Sequence, residues 1–196
     1  MHDNQVPYHE IINLFCDHFK YKTYLELGLR SRENTFDKVN CPTKTSVDIN
    51  PSCGPTFSMS TDNFFDLILP PSVRYDIIFI DANHDAEFVR RDFENALRVL
   101  SHNGTIIMDD INPTQEFLLK PEWCGTAWEV FCELGNREDL YMRTVVPSFT
   151  GFVRRGKQIP HNLKLEKTFQ FLETNRNEIT KPITLDELKK EIICYQ

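Results

Sequence analysis

No apolar run in the 196-residue chain approaches the roughly twenty residues needed to cross a bilayer, so a membrane partner is not expected. Basic residues are in deficit. Lys and Arg total 22 against 29 Asp and Glu, giving a formal charge of -7 and a pI near 5.4, which argues against nucleic acid as the main partner. The six cysteines include no Cys-x-x-Cys pair, and the opening residues lack the basic and apolar regions of a secretory leader, so a reduced, cytoplasmic protein is expected. Glycine is missing where a dinucleotide fingerprint would need it. The turn Gly28-Leu-Arg30-Ser-Arg32 has one glycine only, which disfavours a pyrophosphate seated on a helix N-terminus and hence a nicotinamide cofactor.

The chain does have acids at the ends of apolar runs. Tyr75-Asp-Ile-Ile-Phe-Ile-Asp81-Ala-Asn-His84 is followed by Gly104-Thr-Ile-Ile-Met-Asp109-Asp110. A run such as Ile77 to Ile80 has no polar alternation and suits a strand covered on both faces in a parallel α/β sheet. Ligands of such sheets bind beyond the strand carboxyl ends. Asp81, Asp109 and Asp110 are therefore expected to converge on one crevice with His84 beside them, a combination that points to a metal with a general base. A single acid after a strand is often only a helix cap, but two adjacent carboxylates repel unless a cation or proton intervenes.

With 40% hydrophobic residues the chain can bury one substantial core. An amphipathic opening helix follows Pro7, carried by Ile11, Ile12, Leu14, Phe15 and Phe19. Strands are expected at residues 24–28, 44–48, 55–59, 75–81, 105–108, 141–146 and 150–154. Helices are expected at 31–39, from Ser60 or Thr61 to Pro70, at 85–100 with Phe88 on the buried face, at 123–134, and at 163–173 and 185–193. The expected fold is a Rossmann-like, doubly wound α/β sheet of seven strands, mostly parallel with an antiparallel edge hairpin. Residues 1–159 are expected to form the main domain, and 160–196 a helical appendage. Asp92 is expected to be solvated or ion-paired. Trp123 and Trp128 fit either the core or a carbohydrate platform, and the remaining histidines, including His2, lack ligand spacing.

The segments Tyr24-Leu-Glu-Leu-Gly-Leu-Arg-Ser-Arg-Glu-Asn-Thr-Phe, Val47-Asp-Ile-Asn-Pro, Met59-Ser-Thr-Asp-Asn-Phe-Phe, Asp76-Ile-Ile-Phe-Ile-Asp-Ala-Asn-His, Asn103-Gly-Thr-Ile-Ile-Met-Asp-Asp and Gly125-Thr-Ala-Trp128 occur in this order. Together they resemble the class I S-adenosylmethionine-dependent methyltransferases of the small methyltransferase-24-like family. The resemblance implies that Glu26 and Gly28 lie against the methionine part of the cofactor and that Asp48 binds the ribose hydroxyls. It places Thr61 and Asp62 near the adenine, and Arg30, Ile49 and Asp81 along the same site. Arg30 and Arg32 depart from the pattern, since many methyltransferases have small residues there.

The double acid also resembles metal-dependent O-methyltransferases, including those acting on sugars, which implies magnesium or another divalent cation held by Asp81, Asp109 and Asp110. His84 is then the expected base and Asp81 a second catalytic residue. The expected activity is methylation of a sugar hydroxyl on a glycan or glycosylated small molecule, with homo-oligomerisation left open. Two alternatives stand beside it: a metal-independent small-molecule methyltransferase, and a non-catalytic binding module of the same fold.

Overall fold

The apolar runs form the centre of a single sheet because successive side chains on each strand face opposite layers and both layers are oily. A computed structural model describes residues 6–193. Its strands are β1 (Thr23–Leu27), β2 (Thr43–Asp48), β3 (Phe57–Ser58), β4 (Tyr75–Ile80), β5 (Leu100–Met108), β6 (Leu140–Val146), β7 (Gly151–Arg155) and β8 (Pro182–Thr184). They are ordered β3-β2-β1-β4-β5-β7-β6-β8. The first five pair in parallel, β7 is antiparallel to both β5 and β6, and β8 is parallel to β6. The α/β, Rossmann-like expectation holds, with eight strands in place of seven. The eighth is too short for alternation to reveal it.

Leu25, Leu27, Ile78, Ile80, Ile106 and Met108 face one layer, where they meet Val89, Phe93 and Ala96 of helix α3 (Ala86–Val99) and Val130, Phe131 and Leu134 of α4 (Ala127–Leu134). Tyr24, Ile77, Phe79 and Ile107 face the other, against Ile11, Ile12 and Phe15 of α1 (Tyr8–Phe19) and Leu188 and Ile192 of α6 (Leu185–Ile193). Asp85 caps α3, accepting from the Glu87 amide at 3.0 Å. Ser60 caps the short α2 (Thr61–Asn63), which widens into a π turn over Phe64–Ile68.

Several expectations are corrected. Residues 31–39 form turns ending in a 3-10 turn, Phe36–Lys38, and no crossover helix. Arg32 bonds to Asp37 and the Gly54 carbonyl across that stretch. The strand expected from Thr105 begins at Leu100, which pairs with Tyr75 across an irregular register, so Asn103-Gly104 lies within β5. The helix expected from Trp123 starts at Ala127, and Phe88 is exposed beneath the Arg91 guanidinium. Beyond residue 160 the first helix is α5 (Phe169–Thr180), not 163–173, whereas the helix at 185–193 is found as expected. The five cysteines among the described residues are free; Cys16 and Cys41 are buried with their sulfurs 3.5 Å apart. Among the described residues no helix is long and apolar enough to cross a membrane.

Leu188 is fully buried against the layer that contains α1. Leu188→Ala is expected to destabilise the whole protein by about 2–5 kcal/mol. Urea unfolding followed by tryptophan fluorescence and far-UV circular dichroism should show one shifted transition; an unshifted main transition would mean that the C-terminal segment folds apart from the sheet.

Candidate active site

The chain leaves β1, runs outward through β2 and β3, and returns to β4, so the carboxyl ends of β1 and β4 form the switch point where α/β sheets bind ligands. Gly28 makes this junction. Its φ of 88° lies in the left-handed region, and a Cβ there would stand 2.1 Å from the Asp81 carbonyl oxygen. Backbone bonds from Gly28 to Val47, Asp81 to Leu27 and Asp109 to Ile80 carry the strand register past the strand ends. The carboxylates of β1, β2, β4 and β5 thus share one rim.

At the β1 end, Glu26 is buried and accepts a 2.6 Å bond from the Tyr24 hydroxyl. Burial pushes its carboxyl up to about 8, with the Asp81 charge adding to the rise. Asp48, at the tip of β2, accepts from the Leu29 amide at 2.6 Å and the Asn50 amide at 2.7 Å. A carboxylate has about four acceptor sites, so these two bonds orient Asp48 and leave capacity for a diol. Ile49 and Arg30 are exposed on either side. Thr61 bonds to Asp92, and Asp62 pairs with Arg91 at 3.1 Å. Asp92 corrects the sequence expectation: it is 2% exposed, one of its oxygens has no hydrogen-bond partner among the described residues, and burial pushes its carboxyl up to about 6.

The second half of the rim brings together three of the expected residues. One ligand atom each from Asp81, His84 and Asp110 lies within 4.8 Å of the others. His84 Nε2 is 3.1 Å from Asp110 Oδ2 and 3.6 Å from Asp81 Oδ1, while Nδ1 bonds to the Trp123 carbonyl oxygen. Because a carbonyl only accepts, Nδ1 carries a hydrogen and Nε2 is the atom turned to the acids. Asp81 and Asp110 raise the imidazole pKa to about 9 against the opposing effect of burial. Asp110, itself raised to about 6 by burial and the Asp81 charge, has a φ of 62° and bonds to the Cys124 thiol.

Asp109 is placed apart from this trio. It is buried, accepts from Thr150 Oγ1 at 2.9 Å, and bonds to Tyr8 of α1; burial and the neighbouring Asp110 and Asp81 charges hold its carboxyl well above the usual range. Tyr8 and Thr150 carry no motif that would mark them in the sequence. Gly125 lies in the quoted Gly125-Thr-Ala-Trp128 segment. It packs on His84, where a Cβ would stand 2.5 Å from the His84 carbonyl, and the Thr126 amide donates to the same carbonyl at 2.8 Å. The tryptophans divide: Trp128 is 1% exposed in the core, and Trp123 is 52% exposed with its ring edge-on to Phe117.

The comparisons agree with this architecture. Residues 15–111 match the model of a family described as a methyltransferase domain. The chain is a class I S-adenosylmethionine-dependent methyltransferase. Among solved structures, the methyltransferase is similar to the O-methyltransferase TomG from Streptomyces achromogenes in complex with SAM, with 14% identity, 78% of this chain and 81% of that one covered, and a TM-score of 0.56. It is also similar to the Bacillus cereus O-methyltransferase in complex with SAH, at 16% identity, 78% and 81% coverage and a TM-score of 0.55. A third, the SAH-bound methyltransferase PaMTH1 of Podospora anserina, has 16% identity, 76% and 78% coverage and a TM-score of 0.52. At these identities the likeness is one of fold. A search of curated proteins finds no match.

Two outcomes are expected from the β1 end. Gly28→Ala, which forces backbone apart where β1 meets β4, should weaken S-adenosylhomocysteine binding by at least about 10-fold, since each such factor is only 1.4 kcal/mol; calorimetry on the folded variant checks this, and unchanged affinity would contradict it. Glu26 binds its proton more tightly in the folded state, so its stabilising effect is full below about 4.5 and is lost as pH rises through about 8. Wild type should therefore lose stability relative to Glu26→Gln between pH 5 and 9, on the order of a few kcal/mol. Parallel denaturation midpoints across that window would rule the assignment out.

Proposed function

We propose that this methyltransferase transfers a methyl group from S-adenosylmethionine to a hydroxyl of a sugar, on a glycan or a glycosylated small molecule, with a divalent cation assisting. The observation that carries the reading is the convergence of Asp81, His84 and Asp110 at the strand ends beside the cofactor rim. Burial and the neighbouring Asp81 charge make Asp110 resist ionisation, and the single imidazole between the two carboxylates offsets this only in part. Oxygen donors of this kind suit magnesium or manganese. A cation held by Asp81 and Asp110 would draw their charge away from the imidazole and lower the pKa of a hydroxyl bound beside it.

The protein's own groups supply the rest. Asp48, oriented by two backbone amides, receives the ribose hydroxyls, and Glu26 faces the methionine part. Thr61 and Asp62, held by Asp92 and Arg91, border the adenine with Ile49 and Arg30 outside them. His84 has Nδ1 committed to Trp123, so Nε2 is the atom that takes the acceptor proton. The exposed Trp123 ring, set edge-on to Phe117, offers an apolar face suited to a sugar. Asp109, tied to Thr150 and Tyr8, supports the trio from behind.

A second reading draws on the same contacts. His84 Nε2 already lies between the two carboxylates, and the neutral imidazole, its Nδ1 committed to Trp123, could take an acceptor proton there in a methyltransferase acting without metal. Calorimetry with manganese separates the two. The metal reading expects binding that Asp110→Ala reduces at least about 10-fold while S-adenosylhomocysteine affinity stays within about 2-fold, and methylation of glycoside acceptors that stops with a chelator and returns with magnesium. Chelator-resistant turnover would establish the metal-free reading.

A further inference from the structure

We propose that Arg176, in the C-terminal segment, is a positioning residue for the catalytic rim: it clamps the loop leaving Asp109-Asp110 and so holds Asp110 beside His84. The proposal rests on the methyltransferase reading above and extends it to a part of the chain outside the family match at residues 15–111.

α5 is interrupted at Asn175, where φ is -110° and ψ 15°, and Asn175 Nδ2 bonds back to the Phe171 carbonyl at 2.9 Å. Arg176 follows directly. Its Nη1 donates to Asn112 Oδ1, Nη2 donates to the Pro113 carbonyl at 2.9 Å, and Nε donates to Glu173 Oε1 at 2.9 Å. The planar guanidinium thus takes two acceptors from one loop while Glu173 fixes its plane, a geometry that an ammonium does not reproduce.

The apolar contacts that dock α5 are made by other residues. Leu172 and Ile179 pack with Trp128 and Cys132, so the guanidinium is not what attaches the helix.

The loop it grips begins two residues after Asp110. A non-glycine residue at a φ of 62° persists only where its surroundings hold it. Upstream, the Asp109 amide is tied to Ile80. Downstream, the Ile111 amide is tied to Phe149, Ile111 and Asn112 are buried, and Arg176 takes up the side chain of Asn112 and the carbonyl of Pro113. Release of the last two bonds leaves the downstream side of Asp110 held through Ile111 alone.

The test compares the full chain with Arg176→Ala, Arg176→Lys, Asn112→Ala and the Arg176→Ala/Asn112→Ala double variant by amide hydrogen exchange, with manganese and S-adenosylhomocysteine calorimetry on the same samples. The expectation for Arg176→Ala is exchange about 10-fold faster confined to residues 109–113, since local opening is read segment by segment. Manganese affinity should fall about 10-fold with cofactor-product affinity within about 2-fold. Arg176→Lys should lie between wild type and Arg176→Ala; Asn112→Ala, which keeps the Pro113 bond, should be milder than Arg176→Ala, and the double variant should match Arg176→Ala, because the Asn112 contact is already lost there. Unchanged protection at 109–113, or loosening spread evenly over the sheet, would overturn the proposal. Absence of manganese binding by wild type would instead remove the metal from the functional reading and leave the exchange comparison to decide Arg176.

Discussion

The close approach of Gly28 to the Asp81 backbone is the constraint on which the site depends. A methyl group would stand 2.1 Å from the Asp81 carbonyl oxygen, so β1 and β4 end side by side only because the residue between them has no side chain. From that junction the strand ends line up: Leu27 with Ile80, and Ile80 with Met108. The acids that follow each strand are consequently neighbours. The resulting charge is borne by an imidazole, by hydrogen bonds and by protons: Glu26, Asp109 and Asp110 all hold a proton more tightly than a solvated carboxyl does.

This arrangement is built from opposed demands on the same strands. Their interiors alternate between two apolar layers, and their ends must carry groups that water would otherwise stabilise. The cost is met locally. Asp48 leans on two amides, Asp109 on a threonine and a tyrosine, and His84 on a carbonyl from the loop before α4. The site is thus rigid where it adjoins the sheet and is completed by side chains from α1 and the loops.

Much of this was legible in the sequence. The apolar runs around Ile78 and Ile106 mark buried parallel strands, and the acids after them mark the rim, because both features are local and strong. The segment at 31–39 misled: Phe36 and Val39 have helical spacing, yet Arg32 bonds across the stretch to Asp37 and Gly54, and turns result. β8 was invisible because three residues show no period, and its place in the sheet is set by β6. Asp92 read as a solvated helix residue because its burial arises from Thr61 and the packing around α2, a tertiary fact. Arg176 and Tyr8 reach the site from segments far along the chain or before the first strand, and no spacing rule links them to it.

The two ends of the sheet have a bearing on self-association. β3 is two residues long, and β8 is three residues long and begins with Pro182, which has no amide hydrogen to offer. A row of free backbone donors and acceptors is what lets one sheet recruit another chain's strand. Here the outermost strands offer only two and three residues of such a row, which leaves an incoming strand little length to pair with on either of them.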